Sequence, residues 1–379
     1  MGERVKWRMG KTRRIRRPRE KNSRTDSKRR AEGPVSLVTG ACGFIGSHMV
    51  EVLHEAGHRI RATDLEETYQ KADRTRGKFP EVLKELGVEF IPSDMTKPET
   101  LTEAVKGVGD VFHIAAIFSY SAPWEALRKV NVEGTRELCH LLLAEKSFQK
   151  LVLWGAGGVY GFPPAEFLPV REEDPKAPPN NYLKSKHEQE QLVMRLGRTR
   201  GLRYSILRPT GVYGPRGVYG MGQLLLSNAK WKRLAIPRNF TSRIPFVHVR
   251  DVCSAALFLR NQAAADGEAF NLNDDTQMTG VTFVQFLGKC LNKPVTLLPP
   301  VPITLLKVFL LGAARLEQIV SRRITHKPTQ LEKDSIRLLG KDIAYSNQKL
   351  KDLGYRFLYP DAHVGIRETL DWYGKEGWI

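Results

Sequence analysis

Tyr182 and Lys186 are the side chains in this sequence whose types and spacing most clearly suit chemistry. They lie four residues apart in a segment that predicts a helix over 180–195, so they share one helix face. A tyrosine has a pKa of about 10, and a neighbouring ammonium group lowers it by stabilising the phenolate. The pair therefore indicates a tyrosine base that takes the proton of a substrate hydroxyl while hydride leaves. The alternative is an exposed helix face without a chemical role.

A glycine-rich turn is the second chemical feature. Gly40, Gly43 and Gly46 follow a short apolar run and open an apolar-periodic segment, which predicts a strand, a tight turn and a helix. Such a turn lets the backbone and the helix N-terminus approach a pyrophosphate. Asp64 lies 18 residues after Gly46, at the end of a second strand-like run. A carboxylate there accepts hydrogen bonds from an adenosine ribose, which favours NAD over NADP. A purely structural glycine turn is the alternative.

The elements that must position these residues follow an alternating pattern. Apolar runs predict strands at 35–38, 59–63, 88–91, 110–114, 151–154, 202–207 and 269–272. Further helices are predicted at 98–105 and 124–144. This alternation is typical of a parallel sheet with helices on both faces, which binds ligands at the carboxyl ends of its strands. The predicted fold class is α/β, a Rossmann-type doubly wound parallel sheet with a smaller, mostly helical C-terminal substrate domain.

The regular alternation ends after Pro209. Residues 210–245 are Gly-rich and irregular, 246–256 are expected to return to the sheet region, and helices are expected from about 276 onward. We therefore predict an NAD-binding domain over 34–209 with 246–275, and a substrate domain over 210–245 with 276–379.

The spacing G-x-x-G-x-x-G resembles that of the extended short-chain dehydrogenase/reductase superfamily, in its NAD-dependent epimerase/dehydratase group. VTGACGFIG, SDMT, HIAAIF, NVEGT, VYG, RPTGVYGP and FVHVRDV extend the resemblance over residues 34–275. It implies bound NAD, with cofactor contacts from Gly40, Gly43, Phe44, Ile45, Gly46, Asp64, Asp94, Ala115, Ala116, Tyr182, Lys186, Pro209 and Thr210. Asp94 is expected on the adenine side, and Ala115 and Ala116 beside the cofactor. Pro209 and Thr210 are expected near the nicotinamide.

One position departs from the family pattern. The family usually has a serine or threonine four residues before the tyrosine of VYG, and this chain has Ala156. The hydroxyl holds the substrate oxygen during hydride transfer, and losing such a donor typically costs about 2.7–4 kcal/mol. The substitutes available after HIAAIF are Ser119, Tyr120 and Ser121. Either one of them replaces the donor, or turnover is slow, or the chain binds NAD as a regulatory protein.

The C-terminal part indicates the substrate class. HKPTQLEKDSIRLLGKDIAYSNQKLKDLGYRF is similar to the 3β-hydroxysteroid dehydrogenase and dihydroflavonol reductase branches. The R-P-G-D-type segment of nucleotide-sugar members is absent. We therefore expect an NAD-dependent dehydrogenase acting on a secondary alcohol or ketone of a sterol- or lipid-like substrate. A nucleotide-sugar epimerase or dehydratase remains the alternative enzyme.

The apolar segment 301–320 raises the question of a membrane. Lys307, Arg315 and Glu317 interrupt it, whereas a spanning helix needs about 20 predominantly apolar residues. We expect no transmembrane segment and predict a core or pocket helix. A helix lying on a bilayer surface stays open.

Charge is concentrated at the N-terminus of the 379-residue chain. Residues 1–30 contain 14 Lys/Arg and 3 Asp/Glu, so they carry +11 of the net +19. A tail over 1–33 is predicted to be disordered. Three explanations of this basic tail stay open. It is a solvated tail without a role, it is translated from an upstream start codon and has no function, or it binds anionic lipid or nucleic acid weakly.

The spacing of the four cysteines indicates whether the protein forms disulfides and whether it binds a metal ion. They lie far apart without the pairing of a metal site: Cys42, Cys139, Cys253 and Cys290. This usage favours a reduced, cytoplasmic protein without a metal, and surface association with a membrane stays open. A small-molecule substrate is expected, and a homodimer stays open.

Overall fold

The computed structural model describes residues 34–320, 336, 337 and 339–379. The predicted tail over 1–33 lies outside the described residues. Residues 34–379 form one compact unit. The division of that unit into an NAD-binding domain and a substrate domain stays a prediction.

The strands are short and mostly buried. In chain order they are β1 Val35–Thr39, β2 Ile60–Thr63, β3 Glu89–Phe90, β4 Val108–His113, β5 Lys150–Trp154, β6 Tyr204–Pro209, β7 Gly211–Tyr213, β8 Leu234–Pro237, β9 Phe246–His248, β10 Glu268–Leu272 and β11 Val295–Leu298. The main sheet has seven strands in the order β10-β6-β5-β4-β1-β2-β3, and its pairs are parallel. The predicted doubly wound sheet is confirmed.

The α-helices connect and cover these strands. They are α1 Phe44–Glu55, α2 Glu66–Gln70, α3 Pro80–Glu85, α4 Leu101–Val105, α5 Trp124–Leu127, α6 Thr135–Ala144, α7 Asn181–Arg200, α8 Met221–Lys230, α9 Val249–Arg260, α10 Gly280–Leu291, α11 Ile303–Val320, α12 Gln348–Asp352 and α13 Ala362–Lys375. Between α5 and α6, Arg128–Gly134 forms a π-helical segment, so the predicted helix over 124–144 is interrupted.

Both faces of the sheet bury an apolar layer. On one face, α1 and α9 place Met49, Leu53 and Val252 in a cluster that also holds Tyr355 from the C-terminal part. On the other face, α6 and α7 bury residues at helical spacing: Leu138, Cys139, Leu142, Leu192, Val193 and Leu196. This layering fixes the strand ends from which the candidate site is built.

Residues 246–256 return to the sheet region as predicted, but by packing rather than by strand pairing: Val252, Cys253 and Ala256 of α9 lie in one apolar cluster with Val38 and Phe112 of the main sheet. β9 pairs only with β7, in a separate two-stranded sheet, and the chain then enters α9. The physical reason is the spacing of Val249, Val252, Cys253 and Ala256, which are buried at helical intervals. The C-terminal region is mainly helical as expected, with β11 paired to β8.

The described part of the chain contains no helix that is long and apolar enough to span a bilayer.

Candidate active site

The glycine turn between β1 and α1 is shaped by close backbone contacts. Gly40 has φ +66°, and a Cβ on it would lie 2.9 Å from the nitrogen of Ala115. A Cβ on Gly46 would lie 2.1 Å from the carbonyl oxygen of Gly40. Gly43 is the N-cap of α1 and offers no side chain to the first-turn N–H groups. Phe44 and Ile45 begin the helix. The turn therefore brings bare backbone and a helix N-terminus together, as pyrophosphate binding requires.

Asp64 lies beside this turn. Its Oδ2 accepts a hydrogen bond from the N–H of Cys42 at 3.1 Å, and its Oδ1 accepts one from Leu65 at 2.8 Å. Burial raises the pKa of Asp64, and nearby Lys78 opposes this effect. A carboxylate at the carboxyl end of β2 and against the glycine turn fits the adenosine ribose of NAD.

Asp94 follows β3 and lies near the same strand ends, because the N–H of Ser93 donates to the carbonyl oxygen of Asp64 at 3.0 Å. Its Oδ1 accepts hydrogen bonds of 2.8 Å from the backbone N–H and the hydroxyl of Thr96. Burial raises the pKa of Asp94, but these bonds and Lys97 outweigh it and lower the pKa overall. Its expected contact with adenine stays a prediction.

Tyr182 lies in α7 among aromatic rings. Its ring centre is 5.1 Å from that of Phe118 and 5.7 Å from that of Tyr120. Burial raises the pKa of the Tyr182 hydroxyl, and Tyr120 adds to this effect. The sequence predicts that Lys186 lowers the pKa of Tyr182. In the protein without cofactor this pKa is raised instead, because the effect of burying the hydroxyl dominates.

Lys186 is buried and held by a neighbour on its own helix. Its Nζ donates to Oε1 of Gln189 at 2.5 Å. Burial lowers the pKa of Lys186 to about 8, and Glu190 opposes this effect. The ammonium group is therefore directed by Gln189 within the buried side of α7.

Gln189 continues into a buried chain of hydrogen bonds that reaches β1. Its Nε2 donates to the hydroxyl of Thr135 at 2.7 Å, and that hydroxyl donates to the carbonyl oxygen of Asn131 at 2.7 Å. The hydroxyl of Thr135 also lies 2.8 Å from Nε2 of His113, so the histidine must donate there. At the other end, Nδ1 of His113 lies 2.8 Å from the hydroxyl of Thr39 and accepts from it.

This assignment requires a neutral histidine. Burial lowers the pKa of His113 to about 3, and Lys186 adds to this effect. The hydroxyl of Thr39 also accepts hydrogen bonds of 3.1 Å from the N–H groups of Ile114 and Ala115. The chain thus connects Lys186 to the loop that contains Ala115 and Ala116, which adjoins the glycine turn.

Ala156 precedes a 3-10 turn over Gly157–Tyr160 and packs in one apolar cluster with Tyr182. Tyr120 is partly buried against the same cluster. The hydroxyls of Ser119 and Ser121 instead lie 3.2 Å from each other in a hydrogen bond. Of the predicted substitutes, Tyr120 is the one that the structure places against Tyr182.

Pro209 and Thr210 also adjoin the Ala156 turn. A Cβ on Gly157 would lie 3.1 Å from the carbonyl oxygen of Pro209 and 3.2 Å from Cγ2 of Thr210. Pro209 ends β6, and the hydroxyl of Thr210 donates to the carbonyl oxygen of Leu272 at 3.3 Å. Their expected contact with nicotinamide stays a prediction.

A buried ion pair between Arg208 and Glu190 stabilises the turn over Gly157–Tyr160. Nε of Arg208 donates to Glu190 at 3.0 Å, and Nη1 donates to the hydroxyl of Tyr160 at 2.7 Å. That hydroxyl donates to Oδ1 of Asn271 at 2.8 Å. α7, the turn and the β6 strand end are therefore tied together.

Sequence reasoning missed several residues that build the site. The motifs VTGACGFIG, HIAAIF and NVEGT contain Thr39, His113, Phe118 and Thr135 without assigning them a role, and Gln189 lies outside these motifs. The signal for Gln189 was its place three residues after Lys186 on a predicted helix, which puts the two side chains within reach.

Comparisons with known proteins agree with this geometry. The model of the NAD dependent epimerase/dehydratase family matches residues 36–272. A mouse (Mus musculus) protein named sterol-4-alpha-carboxylate 3-dehydrogenase, decarboxylating, is 30% identical over 331 residues, which are 84% of this chain and 85% of that protein. A putative UDP-glucose 4-epimerase of Methanocaldococcus jannaschii is 31% identical over 236 residues, 59% of this chain and 73% of that protein.

A solved structure shows the same fold. The UDP-glucose 4-epimerase of Thermus thermophilus, crystallised in complex with NAD, superposes with a TM-score of 0.67 at 23% identity. The superposition covers 90% of this chain and 99% of that one. Together, the matched family model and the site geometry show that this chain belongs to the NAD-dependent epimerase/dehydratase family, with NAD as its cofactor.

Proposed function

We propose that the chain is an NAD-dependent dehydrogenase that interconverts a secondary alcohol and a ketone on a sterol- or lipid-like substrate. The observation that carries this proposal is the surroundings of Tyr182. Phe118 and Tyr120 pack their rings against it, and Ala156 lies in its apolar cluster. Such surroundings favour an apolar ring system over a sugar, whose hydroxyls would need polar partners.

The similarity to the mouse protein supports the same substrate class, because that protein is named for a sterol carboxylate. The match extends over most of both chains, so it includes the C-terminal part as well as the nucleotide-binding part.

In the proposed reaction, Tyr182 takes the proton of the substrate hydroxyl. Lys186 lies one helical turn away on the same face, and its positive charge favours phenolate against the burial that raises the pKa of Tyr182 in the protein without cofactor. Tyr120 holds the substrate oxygen in place of the hydroxyl that Ala156 lacks. NAD, when bound, supplies the hydride acceptor. The aromatic rings of Phe118 and Tyr120 exclude water from the reacting carbon.

A nucleotide-sugar epimerase is the second candidate function. The archaeal relative favours it, since that protein is named as a putative UDP-glucose 4-epimerase at a similar identity. An NAD-binding regulatory protein with weak catalysis is the third, because Ala156 stands where the family usually has a hydroxyl.

A binding and activity screen separates the three functions. NAD should raise the melting temperature, and 3β-hydroxysterols should then give NADH absorbance with the purified protein. NADH formed from sterols and not from UDP-sugars would support the proposal. Conversion of UDP-glucose without net NADH would favour the epimerase, and binding without either reaction would favour the regulatory protein.

Asp64 should set the cofactor preference within this screen. Its carboxylate repels a 2′-phosphate, so NAD should bind more tightly than NADP, and Asp64→Ala should narrow the difference. Titration of both dinucleotides by tryptophan fluorescence checks this. Asp73→Ala is the matched control, because Asp73 lies on an exposed turn and accepts only local hydrogen bonds from Thr75 and Arg76. Equal affinities in the unmutated protein would contradict the assignment of Asp64.

A further inference from the structure

The loop over residues 214–220, between β7 and α8, lies along one side of α1. Nε2 of His48 donates to the carbonyl oxygen of Pro215 at 2.9 Å. Nearer the start of the helix, a Cβ on Gly217 would lie 3.2 Å from Cζ of Phe44, the first residue of α1. Because these contacts pass from residue 48 to residue 44, the loop follows α1 toward its N-terminus, the end that adjoins the glycine turn.

This loop is tightly packed at Gly217 and open at Gly220. The hydroxyl of Tyr373 donates to the carbonyl oxygen of Gly217 at 2.5 Å, so α13 holds the loop there. Gly220 has φ +53°, and a Cβ on it would meet no atom of the described residues within 4 Å. Tyr219 lies between these two points, and its side chain is 41% exposed. The ring can therefore rotate into solvent without disturbing the buried core.

The side chain of Tyr219 contacts two loops that belong to different parts of the main sheet. Its hydroxyl donates to the carbonyl oxygen of Arg76 at 2.6 Å, and a Cβ on Gly77 would lie 3.0 Å from its Cε2. Both residues lie in the connection from β2 to β3. On the other side, its ring centre is 6.0 Å from that of Phe118, in the loop after β4.

These two loops adjoin the glycine turn from opposite sides. The N–H of Phe79 donates to the carbonyl oxygen of Cys42, within the turn, at 2.7 Å. A Cβ on Gly40 would lie 2.9 Å from the nitrogen of Ala115, which begins the loop that contains Phe118. In the sheet, β1 lies between β2 and β4. A side chain that contacts both loops therefore spans the carboxyl end of β1, where the turn is.

We propose that Tyr219 is a cofactor gate: its side chain closes over NAD bound at the glycine turn, and its hydrogen bond to Arg76 holds the gate closed. NAD enters and leaves when the side chain rotates into solvent, which breaks that hydrogen bond and the ring contact with Phe118. The gate acts on the cofactor, so it does not depend on the substrate proposed above.

The gate also contacts the proposed base through one shared ring. Phe118 packs against Tyr219 at 6.0 Å on one side and against Tyr182 at 5.1 Å on the other, between ring centres. The ring of Phe118 thus supports the closed position of Tyr219 from a different loop than Arg76 does. Phe118→Ala should therefore open the gate independently of the hydrogen bond.

Release of NADH from the full-length protein tests the gate without a substrate. The protein is loaded with NADH and mixed with excess NAD in a stopped-flow instrument, and the fluorescence of NADH is followed. Tyr219→Phe keeps the ring and removes the hydrogen bond, so dissociation should be about two- to tenfold faster. Tyr219→Ala removes both contacts, and dissociation should be about tenfold faster or more. Phe118→Ala should also accelerate it.

The rate of NADH association distinguishes a gate from a residue that only shapes the binding site. Association should be as fast as in the unmutated protein or faster in all three variants, because binding no longer waits for the gate to open. Trp231→Ala is the matched control. It removes a ring that is 68% exposed at the C-terminal end of α8, and both rates should stay unchanged.

Melting temperatures without cofactor show whether the variants are folded alike, and Tyr219→Phe tests the gate even where Tyr219→Ala lowers the melting temperature. Unchanged dissociation in both Tyr219 variants would overturn the proposal. Faster dissociation combined with slower association would also overturn it, because that combination indicates a distorted binding turn. Faster dissociation in Trp231→Ala would overturn it as well, since the effect would then not be specific to the gate.

Discussion

At the scale of single residues, the orientation of Lys186 depends on the buried side chain of Gln189, three residues further along α7. Oε1 of Gln189 accepts a hydrogen bond from the ammonium of Lys186, and further hydrogen bonds connect Gln189 through Thr135 and His113 to Thr39. Because the chain is buried, each member lacks an alternative partner in water. The position of the lysine is therefore coupled to the loop beside the glycine turn.

Gln189→Leu should destabilise the protein, because it leaves the ammonium of Lys186 and the hydroxyl of Thr135 without this partner. A hydrogen bond to a charged group contributes about 1.5–3 kcal/mol, so the free energy of unfolding in urea should fall by about that amount. Gln191→Leu is the control, since Gln191 is exposed on the same helix. If the two variants have the same unfolding free energy, the hydrogen bonds from Gln189 do not hold Lys186 in place.

Tyr120→Phe should lower the turnover of an identified reaction by about 10²–10³, the usual effect of removing one donor to a reacting oxygen. Ser119→Ala and Ser121→Ala should leave turnover nearly unchanged, because those hydroxyls bond each other. Ala156→Ser should then add little. A rate that is insensitive to Tyr120→Phe and is raised by Ala156→Ser would show that no substitute donor exists. A rate unchanged by Tyr182→Phe would exclude the tyrosine base itself.

Residues with local signals could be predicted from the sequence, and residues whose properties depend on distant neighbours could not. The glycine turn and the position of Asp64 follow from spacing along adjoining elements. The raised pKa of Tyr182 depends on the rings of Phe118 and Tyr120, more than sixty positions earlier in the chain. No pattern around Tyr182 contains that information.

At the scale of elements, the packing of α1 on β1 leaves no room at Gly46. A Cβ there would lie 2.1 Å from the carbonyl oxygen of Gly40, a backbone atom that cannot rotate away. The turn and the helix therefore have to move apart if any side chain is introduced.

Gly46→Ala should lower the melting temperature, because the turn and α1 pack closely there, and should also weaken NAD binding if the turn holds the pyrophosphate as predicted. Overpacking of a close contact typically destabilises by about 1–3 kcal/mol. Gly374→Ala is the control, since Gly374 also lies in a helix and a Cβ there would meet nothing within 4 Å. That variant should be neutral or slightly more stable by calorimetry. Normal NAD affinity in Gly46→Ala would show that the cofactor binds elsewhere.

The π-helical segment illustrates what helix prediction misses. Asn131 lies within it, accepts a hydrogen bond of 2.8 Å from the N–H of Ile117, and donates one of 2.9 Å to the hydroxyl of Ser185. The apolar period of 124–144 predicts a helix correctly, but the extra residue in the turn is set by partners on other elements. π-Helical turns occur often at functional sites.

At the scale of the whole molecule, Asp274 connects stability to pH. It lies just after β10, its backbone N–H donates to Phe246 at 2.8 Å, and its Oδ2 has no hydrogen-bond partner among the described residues. Burial raises its pKa from the usual 3.8 to about 8; hydrogen bonds from Thr276 oppose this rise, and Asp275 and Asp361 add to it. The folded protein therefore holds a proton that the unfolded chain releases.

Because the folded pKa is the higher one, the stability from this proton is complete below pH 3.8 and is lost as pH rises to about 8. The steepest loss is about 1.4 kcal/mol per pH unit for one group. Asp274→Asn should remove this dependence and be more stable than the unmutated protein at alkaline pH. Urea unfolding across this pH range checks it, with exposed Asp352→Asn as control. Parallel pH profiles for all three proteins would contradict the assignment.

The sequence is sufficient to predict the parallel main sheet with helices on both faces, because alternating apolar segments and right-handed crossovers leave few arrangements of the strands. The pairing of β7 with β9 and of β8 with β11 could not be predicted, since these strands are three or four residues long and join segments far apart in the chain. Short strands carry too little pattern to identify a partner.

The strand order β10-β6-β5-β4-β1-β2-β3 also has a consequence for biosynthesis. Of these strands, a ribosome delivers β1 first, and β1 becomes an interior strand between β4 and β2. β2 and β3 then add on one side, and β4, β5, β6 and β10 add in turn on the other. Every strand that emerges thus meets a free edge, and none has to insert between two strands that have already paired.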